Sequence, residues 1–77
     1  MKPEIAFGKI LRIYREINKI SQERLALESG LDRTYISLLE RGLRQPSLTS
    51  ILKLSEAFHV SSAKLIAEVE ALLDEDS

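Results

Sequence analysis

The residues whose types and spacing could do chemistry lie between Gln22 and Arg41, in the run QERLALESGLDRTYISLLER. The run reads as two short helical stretches joined by a tight turn at Gly30. Ser21 and Asp32 stand immediately before the two stretches, where a short side-chain oxygen accepts from the backbone N–H groups that a first turn leaves free. Gly30 makes the bend, because glycine takes the left-handed conformation at a helix end without steric cost. Leu25 and Ala26 supply the inward face of the first stretch, and Ala26 is small enough to let the second helix cross closely over it. In the second stretch Leu31, Ile36 and Leu39 fall on one side. That leaves Arg33, Thr34, Ser37, Leu38 and Arg41 facing outward, and a cation and hydroxyls on the exposed face of the second of two crossed helices can read the major groove of DNA.

Bond-making chemistry has no comparable foothold. There is no cysteine and His59 is the only histidine, so no cluster of metal ligands can be assembled. Neither a nucleophile with a base beside it nor a glycine-rich phosphate loop occurs. The expectation is a protein that is not an enzyme, with no catalytic residue, metal, cofactor or small-molecule ligand.

The elements that must position the outward face are all helical in spacing. Phe7, Ile10, Leu11 and Tyr14 follow i, i+3, i+4, i+7 and mark a first helix from about Glu4 to Asn18, with Pro3 suited to its first turn. A second helix runs from about Gln22 to Ser29 and a third from about Arg33 to Arg41, which Gly42 ends. Pro46 closes the LRQP loop, and Ser47 caps a fourth helix with Leu48, Ile51, Leu52, Leu54 and Phe58 on its inner side. His59 stands where a helix-ending glycine is usual, and Ser61 or Ser62 opens a fifth helix through Leu73. No alternating strand pattern survives, so the predicted class is all-α, one five-helix domain over residues 1–77.

Seventy-seven residues bury a modest core, roughly 60–65% of the unfolded surface. Without a disulfide or metal to supplement it, dimerisation is the expected remedy. The net charge of −1 looks wrong for a nucleic-acid partner, yet its distribution is uneven. Residues 1–24 carry six basic and three acidic side chains, residues 25–44 three of each, and residues 45–77 two basic and six acidic, so one end can meet phosphates while the other stays in water. No apolar run is long enough for a membrane span, and MKPEIAFGK lacks a signal-peptide hydrophobic region. A cytoplasmic location and no membrane partner are therefore expected.

The pattern G-K-I-L-R-I-Y-R, S-Q-E-x-L-A, G-L-D-R-T-Y-I-S-x-x-E-R-G, P-S-L and F-H-V-S resembles the phage-repressor-like helix-turn-helix superfamily, often called Xre-like. The resemblance spans about Phe7 to Ile66. Within it, DRTYISLLERGLRQPS looks like the controller proteins of bacterial restriction-modification systems, small dimers of this fold. Lys19 and His59 stand where glycine is common and Ser55 where a small apolar residue is usual. These departures concern packing and caps, not the outward face.

The resemblance implies that Gln22 anchors a phosphate, that Arg33, Thr34, Tyr35 and Ser37 are offered to the major groove, and that Arg33 is the strongest candidate for a bidentate contact to guanine. A cation at the positive end of a helix is otherwise poorly placed. Tyr35 could equally lay its ring on the domain and turn only its hydroxyl to the backbone. Arg41 and Arg44, with Ser47 and Thr49, look like phosphate clamps, and Arg44 could instead reach the minor groove. Arg15 and Glu40 occupy the family's ion-pair positions, which would fix the third helix without touching bases.

The fifth helix carries Leu65, Ile66, Val69, Leu72 and Leu73, more apolar surface than a small domain readily covers. Leu65 is assigned to the core and Ile66, Val69 and Leu73 to a two-fold seam, which would set two reading helices about one DNA turn apart. The expected function is that of a homodimeric, sequence-specific transcription regulator on palindromic double-stranded operators, controlling its own operon through concentration and dimerisation. Alternatives are a phage or plasmid repressor, an antitoxin, or a protein-interaction module that keeps the fold and has lost DNA contact.

Overall fold

In the computed structural model, which describes residues 1–76, five helices follow one another: α1 (Pro3–Ile17), α2 (Gln22–Ser29), α3 (Arg33–Glu40), α4 (Leu48–Ala57) and α5 (Ser62–Glu75). Each helix begins where its sequence supplies an acceptor. Ser21 Oγ accepts from Arg24 N–H (3.0 Å), Asp32 Oδ1 from Thr34 N–H (2.7 Å), Ser47 Oγ from Ser50 N–H (3.1 Å) and Ser61 Oγ from Lys64 N–H (3.0 Å). Only α1 starts without a side-chain cap, relying on Pro3, whose missing N–H is one of those a first turn leaves unpaired.

The ends of α1, α3 and α4 share one construction. Ile20 N–H donates to Arg15 O and Lys19 N–H to Glu16 O; Leu43 to Leu38 and Gly42 to Leu39, then Val60 to Ser55 and His59 to Glu56, repeat the pattern. These are Schellman closures, which need a left-handed residue at the turn. The residues there are Lys19 (φ 56°), Gly42 (φ 72°) and His59 (φ 58°), so two of the three closures place a bulky side chain where glycine is favoured.

Ala6, Phe7, Ile10 and Leu11 of α1 meet Leu25, Ile36, Leu39, Leu54, Phe58, Leu65 and Val69 in one core. Each fully buried leucine there contributes about 1.5–3 kcal/mol relative to exposure. α1 packs on α3 and α5, and α2 on α3 and α4. The α1–α3 approach depends on Gly8, where a Cβ would lie 2.4 Å from the Leu39 carbonyl oxygen.

Two expectations need correction. Leu48 and Leu52, assigned to the inner side of α4, are 72% and 52% exposed, and the inward positions are Ser50, Leu54 and Ser55. Ser55 is tolerated because its hydroxyl is satisfied, by the Ile51 carbonyl and by Ser62 Oγ at 2.7 Å. Val69, assigned to the two-fold seam, is 7% exposed and belongs to the core of the single chain, so it has little surface left for a partner. Ile66 and Leu73 are half-buried.

Candidate nucleic-acid interface

The turn between α2 and α3 is built on Gly30, left-handed at φ 74°, whose N–H donates to Ala26 O at 2.9 Å. Leu25, Ile36 and Leu39 are fully buried beneath it, and this rotates Arg33, Thr34 and Arg41 into solvent, with Ser37 and Leu38 half-buried beside them. The apolar positions of α3 thus fix which side chains its other face presents.

What holds α3 in place is an ion pair. Arg15 reaches Glu40 with two donors, Nε to Oε2 at 2.7 Å and Nη2 to Oε1 at 3.1 Å, while Nη1 donates to Ile20 O at 3.1 Å. The side chains are 17% and 5% exposed. Hydrogen bonding to Glu40 raises the Arg15 pKa despite the opposing effect of burial, so the guanidinium stays charged. The bidentate fork ties the end of α3 to both α1 and the α1–α2 turn. Removing one partner of such a pair typically costs about 3–5 kcal/mol by stranding the other charge.

Gln22 joins this network instead of pointing away from it. Its Nε2 donates to Glu40 Oε1 at 3.1 Å, an orientation that follows from chemistry, since a carboxylate only accepts. The amide nitrogen carries two N–H donors and keeps one for an outside anion, beside the backbone N–H groups of the first turn that helix geometry leaves unpaired.

At the other flank of α3 Tyr35 turns its hydroxyl to the start of α4. Its ring is half-buried, and its hydroxyl accepts from Ser50 Oγ (3.0 Å) and from Ser47 N–H (3.4 Å). The start of α4 is thereby fastened to α3. Arg44 lies over the same ring, its guanidinium carbon 5.8 Å from the centroid, a cation–π distance. Ser47 uses its hydroxyl as the α4 cap, and Thr49 is exposed. Arg41 is exposed, with Nε 3.4 Å from Ser37 O.

The structure therefore brings two groups of these residues against α3: Gln22 with Arg15 and Glu40 near its end, and Arg44, Ser47 and Tyr35 where α4 starts. Sequence spacing did not reveal the partner of Arg33. Glu23 Oε1 lies 3.8 Å from Arg33 Nε, with both side chains largely exposed. The two residues are ten apart across a turn, and no periodic rule links them.

Elsewhere, Tyr14 donates its hydroxyl to Glu68, joining α1 to α5, and its pKa is pushed up to about 12 by that hydrogen bond, with burial adding to it. The amino group of Met1 contacts Asp76 Oδ2 at 2.5 Å and holds that carboxyl below its usual range. No helix among the described residues is long and apolar enough to cross a membrane.

Comparison with known proteins places this geometry. The helix-turn-helix family HTH_3 matches residues 11–65. Control protein C.SmaI of Serratia marcescens is 46% identical over 56 residues, 73% of this chain and 67% of that protein. Control protein C.BamHI of Bacillus amyloliquefaciens is 44% identical over 63 residues, 80% of this chain and 78% of that one. Among solved structures, the restriction-modification controller protein C.AhdI from Aeromonas hydrophila is similar with a TM-score of 0.78 and 45% identity, over 80% of this chain and 94% of that chain.

Proposed function

The chain belongs to the Xre-like helix-turn-helix family, and on that premise we propose that it is a controller-type transcription regulator, a homodimer that reads a two-fold symmetric operator of its own operon through α3. The observation that carries this reading is the outward face of α3. Arg33, Thr34 and Arg41 stand in solvent with Ser37 between them, while Ile36 and Leu39 lock the opposite face. An interaction module that had abandoned DNA would have no need of a cation and hydroxyls there. In this reading Arg33 makes the principal base contact, and Thr34 and Ser37 fill the groove beside it. Arg41, Arg44, Thr49 and the first turns of α2 and α4, at Gln22 and Ser47, meet phosphates. Tyr35 serves mainly to hold α4 and Arg44 in register with α3.

The dimer seam is reassigned accordingly, without Val69. Ser55 Oγ and Ser62 Oγ, 2.7 Å apart, set the first turn of α5 against the last turn of α4. About one turn further along each helix come Leu52 and Ile66, with Leu48 and Leu73 beyond them. In this proposal exposed Leu48 and Leu52 of α4 and half-buried Ile66 and Leu73 of α5 are the apolar residues that a second copy of the chain covers.

The test is the ratio of affinities for the DNA upstream of the chain's own gene and for random duplex, measured at about 0.15 M salt where non-specific binding is weak. A ratio of about 10³ or more supports sequence-specific regulation. Arg33→Ala should cost about 1–3 kcal/mol on the upstream DNA and far less on random duplex. Equal affinity of the wild-type protein for both DNAs would overturn the proposal.

A further inference from the structure

An acidic side chain on a DNA-facing surface opposes binding, so Glu23 needs a reason to be there. The other acids near the α2–α3 unit have work within the fold: Asp32 caps α3, Glu40 is enclosed by Arg15 and Gln22, and Glu28 accepts from Arg24 Nε at 2.7 Å. Glu23 is different. It is 75% exposed in the first turn of α2, and it faces Arg33 across the turn at 3.8 Å. Arg33 in turn is the first residue of α3, where the helix dipole disfavours a cation, and Glu23 offsets that disfavour.

We propose that Glu23 is a positioning residue that acts through Arg33 and attenuates its affinity for DNA. It occupies the guanidinium when the protein is free or sliding on non-cognate DNA, so that Arg33 does not bind phosphates indiscriminately. Arg33 leaves Glu23 only for an acceptor that repays the lost pair. A guanine edge does so, because O6 and N7 take two donors at once in the guanidinium's own fork geometry. A single phosphate oxygen, already hydrated and screened, does so less well. An exposed pair at this distance is weak, so it lowers affinity only slightly; the cognate complex, which breaks the pair, bears its full cost, and a non-cognate complex that leaves it intact bears less. This inference rests on the DNA-binding reading above and adds to it a restraint on the reading arginine when no DNA is bound.

Glu23→Gln keeps the size of the side chain and removes the charge, and the site is exposed enough that folding should be unaffected; Glu28→Gln, five residues further along α2, is the control. On random duplex, Glu23→Gln should bind about two- to five-fold more tightly. The slope of log K against log salt should steepen by about 0.9, the signature of one more cation–phosphate contact. Operator affinity should rise by the same factor or more, because the operator complex no longer has to break the pair. In an Arg33→Ala background the same substitution should leave the slope unchanged. An increase that persists undiminished without Arg33 would mean that Glu23 only repels phosphates, and would overturn the proposal. So would a loss of operator affinity with random-duplex binding unchanged, which would make Glu23 a base contact, or no change on either DNA. If the wild-type protein itself showed no sequence preference, the functional reading would fail and not this coupling alone.

Discussion

Gly8→Ala should destabilise this protein, against the usual rule that alanine is the better residue inside a helix. The ordinary gain from glycine to alanine at an exposed helical position is about 1 kcal/mol. At position 8 the added methyl carbon would stand 2.4 Å from the Leu39 carbonyl oxygen, 2.8 Å from the Glu40 oxygen and 3.0 Å from the Glu40 carbonyl carbon. A carbon approaches a carbonyl oxygen comfortably at about 3.3 Å, so the shortfall is about 0.9 Å. All three obstructing atoms are backbone, and no side chain can rotate to make room. α1 and α3 must therefore part by nearly an ångström, loosening the contacts of Leu11 and Leu39 and stretching the Arg15–Glu40 fork. Overpacking of this kind costs about 1–3 kcal/mol, and here the strain falls at or above the upper end because the backbone must move. After the propensity gain the net loss is about 2 kcal/mol, equivalent to a fall in Tm of roughly 8–16 °C for a domain of this size. Thermal melts followed by circular dichroism, with urea titrations to check that the slope is unchanged, measure it. A variant that melts at or above the wild-type temperature would refute the close approach of the two helices.

Lys19→Gly and His59→Gly should each stabilise the fold by ~0.5–1 kcal/mol, the left-handed penalty on a side chain less the extra unfolded freedom of glycine; unchanged urea midpoints would contradict the Schellman closures at these positions. Tyr14 should titrate at about 12, held protonated first by its hydrogen bond to Glu68. Because the folded pKa lies above the ordinary value of 10.0, the stability this bond lends is complete below pH 10 and is lost as the pH rises from 10 to about 12. Glu68→Gln should bring the Tyr14 transition down in a tyrosinate absorbance titration, and no movement would argue against the bond. Ile66→Glu should give a folded monomer in sedimentation, whereas Val69→Glu should lower the melting temperature sharply because it puts a charge into the core; a dimeric Ile66→Glu variant would move the seam elsewhere, the exposed Ile13 and Ile17 of α1 being the next surface to test.

Helix boundaries were legible to within about two residues because this chain announces them chemically: Ser21, Asp32, Ser47 and Ser61 precede their helices, and Gly30 and Gly42 sit at left-handed turns. The apolar stripe of α3 was equally plain. What could not be read was which apolar residues a neighbouring helix covers. Leu48 and Leu52 look as inward as Leu54 by composition, and Val69 looks as available as Ile66; the answer depends on crossing geometry, which spacing along one helix does not contain. The close approach at Gly8 was not read from the sequence, although a glycine inside an otherwise amphipathic helix costs about 1 kcal/mol against alanine and so calls for a packing reason. Ion pairs across the turn are harder still. Arg15 and Glu40 were assigned through the family resemblance, whereas neither Gln22's link to Glu40 nor Glu23's to Arg33 follows from any local pattern.

The central claim is that two copies of α3 read DNA together at fixed separation. Hydroxyl-radical footprinting on the DNA upstream of the gene tests it most directly. The account predicts two protected patches related by inverted sequence, their centres about 10 bp apart or a multiple of that, appearing together as protein is added. A single unpaired patch, or diffuse protection that appears only at concentrations where random duplex is also bound, would contradict it.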